Sequence, residues 1–162
     1  MRTALSDTTV LSNFAHIERP DLLRALFSPL LVPPSVLEEL REGERRALIP
    51  RCSWEWLDVV VPTASEKALA GELRRNLGSG EADGLAVAKS RNLLILTDDL
   101  DARQQAESFG LDISGTLGCL RDLVKHSVLD VSAADLFLAR MRERGYRSPV
   151  RSLRDLPPTP PG

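Results

Sequence analysis

The sequence has few features of a secreted or membrane-bound protein. It contains only two cysteines, Cys52 and Cys119, and neither lies in a CxxC motif or a His/Cys cluster. We therefore expect both thiols to be reduced and structural. It has no apolar run long enough to span a bilayer, and its N-terminus enters a structured pattern almost at once. These absences predict a cytoplasmic protein with no membrane partner.

An excess of charge of either sign is also absent. The formal net charge is −2, although 18 of the 21 basic residues are arginines, which are good phosphate ligands. A near-neutral total does not indicate a nucleic-acid binder, but acids that hold cations would mask positive charge elsewhere. The 162 residues, 43% of them hydrophobic, suffice for one domain with a core. We predict a single domain over residues 1–148 and an Arg/Pro-rich, partly disordered tail over residues 149–162.

Short apolar runs alternate with helical patterns along the chain. The runs predict strands near residues 3–6, 29–32, 57–61, 93–97 and 112–114. Alternation with short connections is typical of parallel sheets covered by helices. The predicted fold class is therefore α/β, with three α/β/α layers and a mainly parallel central sheet.

Four helix boundaries follow from local signals. After Asp7, a helical pattern runs over residues 10–17, and Pro20 opens a second helix that carries apolar residues as far as Phe27. A helix over residues 35–42 is predicted to stop at Gly43. An amphipathic helix is predicted over residues 64–77.

Acidic residues concentrate in the stretch 80–103. Its 21 positions from 81 to 101 contain five carboxylates: Glu81, Asp83, Asp98, Asp99 and Asp101. They flank a buried helical run and the predicted strand at 93–97, so the Asp98-Asp99 pair falls at the carboxyl end of that strand. Ligands of open α/β sheets bind at this edge.

Other acids fall at the same predicted edge. Asp7 follows the first strand, so it meets Asp99 if the two strands are neighbours, and Asp83 begins a helix on that side. On a helical wheel Glu39 lies beside the apolar face of its helix, whereas Glu38, the alternative, points away. Each acid alone could serve as a helix cap or complement a helix dipole.

The set of acids together predicts a metal site. Carboxylates held close to one another repel unless cations are present. Oxygen-only ligands favour Mg²⁺ or Mn²⁺, and the usual work of such a site is phosphodiester hydrolysis.

Four acidic segments resemble a known family. Taken in order, they are similar to the four acidic motifs of the PIN domain, over about residues 3–125: Asp7-Thr-Thr-Val-Leu, Val36-Leu-Glu-Glu-Leu, Glu81-Ala-Asp-Gly-Leu-Ala-Val-Ala and Leu94-Ile-Leu-Thr-Asp-Asp. With the downstream Gly115-Thr-Leu-Gly and the Arg-rich end, the chain looks most like an uncharacterised bacterial and archaeal PIN subgroup.

This resemblance implies a site and an activity. The implied metal ligands and catalytic residues are Asp7, Glu39, Asp83 and Asp99, with Glu81 as an extra acid that acts with or instead of Asp83. The implied supporting residues are Thr9, Thr97, Asp98 and Asp101. The implied activity is Mg²⁺- or Mn²⁺-dependent cleavage of RNA by an endoribonuclease. The resemblance also implies the toxin of a toxin–antitoxin pair, with a cognate antitoxin as partner and a homodimeric assembly.

Two other functions remain open at this point. One is a catalytically silent PIN-like module that binds RNA or protein. The other is a phosphatase-like hydrolase, but that class requires a second Asp two residues after the first, and Asp7 is followed by Thr8 and Thr9.

The Arg-rich end is predicted to contact RNA or a partner. Residues 140–154 hold six arginines and one glutamate, a local charge of +5, enough for several phosphate contacts. Arg147, Arg151 and Arg154 are the predicted RNA-binding residues, with an ordinary solvated helix as the alternative.

Overall fold

The computed structural model describes residues 1–158. Five strands occur in this part of the chain: β1 (Arg2–Ser6), β2 (Phe27–Val32), β3 (Asp58–Val59), β4 (Leu94–Leu96) and β5 (Ile113–Ser114). All pair in parallel, in the order β3-β2-β1-β4-β5. The prediction of a parallel sheet is confirmed.

Helices join the strands. The α-helices of the described chain are α1 (Thr8–His16), α2 (Pro34–Arg45), α3 (Ala64–Leu73), α4 (Ser79–Arg91), α5 (Leu100–Ser108), α6 (Thr116–Lys125) and α7 (Val131–Glu143). Two short 3₁₀ helices cover Pro20–Ala25 and Leu153–Asp155. No helix of the described residues is both long enough and apolar enough to cross a membrane.

Two hydrophobic clusters lie on opposite faces of the sheet. Alternate residues of β1 enter different clusters, Ala4 one and Leu5 the other, as the two-residue period of a strand requires. The first cluster takes the apolar faces of α1, α2, α6 and α7, and the second those of α4 and α5. The fold is therefore the predicted three-layer α/β/α arrangement.

The strand order places the first and fourth strands side by side. Ser6 of β1 is in register with Leu96 of β4, and the amide of Asp7 donates to the Leu96 carbonyl at 3.1 Å. The chain builds outward on one side of β1 through β2 and β3, and on the other through β4 and β5. The chain therefore changes direction between β1 and β4, and the carboxyl ends of these two strands form the topological switch point. Ligands of open α/β sheets bind at this point.

The predicted helix end at Gly43 is wrong. Helix α2 continues to Arg45 because one interior glycine costs only about 1 kcal/mol. The turn comes at Ala47, with a φ of 55°, and the Gly43 carbonyl accepts the amide of Leu48 at 2.8 Å. Left-handed backbone at residue 47, rather than a glycine, ends this element.

Other boundaries also differ. The segment opened by Pro20 is a 3₁₀ helix that ends at Ala25, so Phe27 belongs to β2. Helix α3 ends at Leu73 instead of residue 77, and β3 is shorter than predicted. In the predicted tail, Leu153 packs against the first cluster and its amide donates to Asp135 at 2.8 Å. Of the segment expected to be disordered, residues 159–162 lie outside the described residues.

Candidate active site

Asp7 occupies the junction between β1 and α1 and is fully buried. Its Oδ1 accepts the amide of Thr9 at 2.9 Å and the Thr9 hydroxyl at 2.6 Å, while the Thr97 hydroxyl donates to Oδ2. Asp7 is therefore a helix N-cap, and it also connects two strand ends. Burial raises the pKa of its carboxyl from 3.8 to about 7, against the lowering effect of the two threonines.

The two threonines hold the acidic loop after β4 in place. The Thr9 hydroxyl accepts the amide of Asp98 at 2.8 Å, and the Thr97 hydroxyl accepts the amide of Asp99 at 3.1 Å. Both hydroxyls thus accept from the loop and donate to Asp7. These hydrogen bonds hold the backbone of Asp98 and Asp99 in a fixed position relative to the end of β1.

The adjacent carboxylates Asp98 and Asp99 point to different partners. Asp99 caps α5 by accepting the amide of Ala102 at 2.8 Å. Asp98 turns toward α6 and α1, where it accepts the amide of Thr116 at 2.8 Å and the side-chain amide of Asn13 at 3.0 Å. Asp98 therefore connects the loop after β4 to α6 and α1.

Glu39 extends from α2 to the start of α4. Its Oε1 accepts the amide of Gly80 at 2.9 Å, and its Oε2 accepts the hydroxyl of Thr8. A Cβ at residue 80 would lie 2.8 Å from Oε1, so only glycine allows this approach. Within residues 1–158, Glu38 makes no such side-chain bond, and Glu39 is the acid that reaches the switch point.

Asp83 is mostly buried and already paired. Its two oxygens accept from Arg74 at 3.0 Å and from the Ser35 hydroxyl at 2.6 Å. The ion pair with Arg74 partly neutralises the carboxylate. Asp83 therefore ties α4 to α2 and to the segment after α3.

Glu81 lies in an acidic neighbourhood. Its Oε2 accepts the amide of Gly78 at 3.1 Å, which caps α4. Burial raises the pKa of its carboxyl, and the nearby Asp99, Glu39 and Asp101 raise it further. Glu81 thus shares its surroundings with acids from α2 and from the loop after β4.

The structure brings the predicted residues to one edge of the sheet but does not gather them around one point. Asp7 is connected to the backbone of Asp98 and Asp99 through two threonine hydroxyls. Glu39 and Asp99 lie instead near Glu81, where they raise the pKa of its carboxyl. Among the described residues, no three Asp, Glu, His or Cys side chains are grouped so that they could hold a metal ion.

The chemistry of the donors nevertheless fits a hard divalent cation. The side chains at this edge offer only oxygen, and the crowding of negative charge around Glu81 is relieved by a cation. A cation bound there would compete with the hydrogen bonds that Glu39 and Asp83 accept in this structure. The ligands predicted from the sequence for Mg²⁺ or Mn²⁺, Asp7, Glu39, Asp83 and Asp99 with Glu81 beside them, remain a prediction.

Several contacts of the site were not predicted from the sequence. Ser35 and Arg74 hold Asp83, and Thr8 holds Glu39. Thr8 could have been found, because it belongs to the Asp-Thr-Thr motif and begins a helix. Arg74 carried no signal, since an arginine near a helix end is ordinarily solvated.

Of the three predicted RNA-binding arginines, one lines the pocket beside the acidic edge. Arg147 lines a pocket of about 360 Å³ that Asp98 also lines. Arg151 and Arg154 are exposed on the chain that follows and are not part of the pocket lining.

Comparison with known proteins identifies the family. No curated protein matches the chain. A family model described as a PIN domain matches residues 3–156. The match extends beyond residue 125, where the resemblance of the motifs ended, and adds α7 and the last 3₁₀ helix. The chain therefore belongs to the PIN-domain family, whose fold is of the nuclease type.

Proposed function

We propose that the protein is an endoribonuclease that hydrolyses RNA phosphodiester bonds with Mg²⁺ or Mn²⁺. The observation that carries the proposal is the position of buried Asp7 at the switch point, held by Thr9 and Thr97 against the loop that presents Asp99. A bound divalent cation supplies polarisation of a phosphoryl oxygen and an activated water. Family membership supports the nuclease activity.

In this proposal the acids and the threonines of the site have different roles. Asp7, Glu39, Asp83 and Asp99 supply the negative charge that holds the cation, and Glu81 adds to it. Thr9 and Thr97 fix the orientation of Asp7, because each hydroxyl is itself held by a backbone amide of the loop. Asp98 keeps that loop in place through α6.

A cleavage assay on matched proteins tests the proposal. Single-stranded and structured RNAs are incubated with wild type and with Asp99→Asn, in Mn²⁺, Mg²⁺ or EDTA. We expect cleavage by the wild type only with metal, and none by the variant. Asp112→Asn, an exposed acid that pairs with Arg2, is the control and should cut at the wild-type rate. Equal cleavage by Asp99→Asn and wild type would rule out the proposed site.

A second function is favoured by a specific observation. The carboxylates at this edge are occupied by protein donors, and no buried side-chain nitrogen or oxygen within residues 1–158 lacks a hydrogen-bond partner. Carboxylates that are satisfied without metal are consistent with a catalytically silent module that binds RNA or protein. Calorimetry separates the two functions, because a metal site raises the melting temperature in Mn²⁺ and a silent module does not.

We also propose that the nuclease acts as the toxin of a toxin–antitoxin pair, with a cognate antitoxin as partner, and forms a homodimer. The support is membership of the PIN-domain family, many of whose small bacterial members are toxins and often dimeric. Expression of wild type should arrest bacterial growth, expression of Asp99→Asn should not, and a short neighbouring reading frame should restore growth. Light scattering measures whether the purified protein is a dimer.

A further inference from the structure

A pocket of about 360 Å³ opens at the carboxyl end of β5, beside the acidic edge. It lies between the loop after β4, the start of α6 and the segment after α7. Its polar lining includes three arginines and a tyrosine: Arg103, Arg121, Arg147 and Tyr146. A volume of this size lies at the lower end of the range for small-ligand sites, about 300–1,000 Å³.

The positive charge of the pocket is not neutralised by ion pairs. None of the salt bridges within the described chain involves Arg103, Arg121 or Arg147. Arg103 donates to the Thr97 carbonyl at 2.9 Å and Arg121 to the Pro157 carbonyl at 3.3 Å. These half-buried guanidiniums are thus positioned by neutral acceptors and keep their charge available.

Asp98, the only acid among the described residues of the lining, already accepts hydrogen bonds. One of its oxygens accepts the Thr116 amide, and the other accepts from Asn13 and from the Thr116 hydroxyl. The helix start is therefore satisfied by Asp98, and the arginines are the groups left to meet an anion. Three guanidiniums against one carboxylate leave a net lining charge of +2.

The remaining lining is apolar or aromatic and suits a nucleoside. Tyr146 is half-buried, and burial raises the pKa of its hydroxyl, which therefore stays protonated as a hydrogen-bond donor. Leu100, 75% exposed at the start of α5, and Leu117 add apolar walls. A tyrosine ring beside arginines is a common arrangement for stacking one base while its phosphate is bound.

We propose that this pocket binds one nucleotide of a single-stranded RNA, with its phosphate on the arginines and its base against Tyr146, next to the phosphate that is cut. The proposal rests on the proposed function for its substrate. Asp98 lines the pocket and Asp99 belongs to the acidic edge, and neighbouring Cα atoms are about 3.8 Å apart. A short oligonucleotide can therefore reach both sites.

Binding in EDTA tests the pocket separately from cleavage. AMP, adenosine and a single-stranded RNA hexamer are titrated into the full chain by calorimetry, and the RNA is also titrated in the presence of AMP. We expect AMP to bind, adenosine to bind at least tenfold more weakly, and the RNA to compete with AMP. Arg121→Gln/Arg147→Gln should weaken AMP binding at least tenfold, since the double variant removes two of the three guanidiniums that would bind the phosphate.

A charge-matched control is Arg46→Gln/Arg51→Gln, which removes two exposed arginines outside the pocket and should bind AMP like wild type. Three results would overturn the inference: no AMP binding, equal losses in both double variants, or AMP that the RNA does not displace. Loss of RNA cleavage in Asp99→Asn with intact AMP binding supports both sites. AMP binding in a protein that never cleaves RNA retains the pocket and removes the nuclease.

Discussion

The Thr97 hydroxyl donates to Oδ2 of Asp7 and at the same time accepts the amide of Asp99. One side chain at the end of β4 therefore orients the carboxylate at the end of β1 and holds the backbone of the next acid. Thr9 forms the corresponding connection from α1. The geometry of the acidic edge depends on these two hydroxyls.

Thr97→Val should disconnect the two strand ends. Valine keeps the shape but removes the hydroxyl, which leaves the buried Asp7 oxygen and the Asp99 amide without this partner. We expect a loss of about 1–3 kcal/mol in unfolding free energy and at least a tenfold loss of RNA cleavage. Thr97→Ser keeps the hydroxyl and should retain most of the activity. Chemical denaturation and cleavage rates measure the two effects, and equal activity of Val and Ser variants would contradict this role.

Asp7→Asn should separate activity from stability. At pH 8 the carboxyl of Asp7 is ionised, because the pH lies above its pKa of about 7. Burial raised that pKa, so the buried charge is unfavourable when no metal is bound. Asparagine can still cap α1 through its side-chain oxygen and carries no charge. We expect the variant to lose cleavage and to melt, in EDTA at pH 8, at the same temperature as the wild type or higher. A large loss of stability would show that Asp7 is chiefly structural.

The Glu66–Arg91 pair should make stability depend on pH in acid. Glu66 is buried and accepts two bonds from Arg91, at 2.9 and 3.0 Å. The Arg91 guanidinium lowers the pKa of Glu66 from 4.5 to about 2. Because the folded pKa is the lower one, the stabilisation is complete above pH 4.5 and disappears as the pH falls toward 2.

Glu66→Gln therefore costs stability near neutrality but not in strong acid. We expect a loss of about 2–3 kcal/mol at pH 7 that shrinks to nearly nothing at pH 2. Denaturation of both proteins across this range measures it. Glu42→Gln, which breaks the exposed pair with Arg45, serves as control and should leave the melting temperature unchanged at both pH values. A pH-independent loss in Glu66→Gln would mean that packing, not the ion pair, is responsible.

Gly80→Ala should disturb Glu39 without disturbing the helix. The added Cβ would lie 2.8 Å from Oε1 of Glu39, so that carboxylate must move. Gly71 in α3 is the matched control, since an added Cβ there meets nothing within 4 Å. We expect Gly71→Ala to gain about 0.5–1 kcal/mol with unchanged cleavage, and Gly80→Ala to lose cleavage. Unchanged cleavage in Gly80→Ala would remove Glu39 from the site.

The architecture was predictable because buried strands and amphipathic helices leave periodic signals. The run over residues 93–96 is apolar throughout because β4 is covered on both faces, and the Thr-Asp-Asp that follows it predicted the edge of the sheet that carries the acids. Asp7 and Asp99 could be brought together by the rule that parallel strands share one carboxyl edge. Their connection through Thr97 could not be predicted in this way, because it depends on the register of β1 with β4.

Contacts between distant elements left no such signal. Arg74 reaches Asp83 from the segment after α3, and Arg121 reaches its pocket from α6, yet both look like ordinary surface arginines in the sequence. Gly43, by contrast, gave a signal for a helix end that the structure does not have. A glycine ends a helix only when the backbone also turns left-handed, and here that turn comes at Ala47. Tertiary packing decides such positions.

Arg74 should restrain Asp83 in the metal-free protein. Its guanidinium lies 3.0 Å from Oδ1 of Asp83. It therefore neutralises part of the negative charge that would bind a cation. Removing it in Arg74→Gln leaves Asp83 held by the Ser35 hydroxyl and increases the negative potential of the edge. We therefore expect Arg74→Gln to bind Mn²⁺ several-fold more tightly than wild type, with some loss of stability in EDTA.

Titration with Mn²⁺, followed by the melting temperature, measures this affinity. It also decides whether Asp83 or Glu81 is the third carboxylate ligand. If Asp83 is a ligand, Asp83→Asn abolishes the rise in melting temperature that Mn²⁺ causes, whereas Glu81→Gln only reduces it, because Glu81 adds charge from its place beside Glu39 and Asp99. Arg75→Gln, the exposed neighbour of Arg74, controls for the loss of one positive charge and should leave the Mn²⁺ affinity near wild type. Mn²⁺ affinity that is lost in Glu81→Gln and kept in both Asp83→Asn and Arg74→Gln would assign the third carboxylate to Glu81 and leave Asp83 as the anchor between α2 and α4.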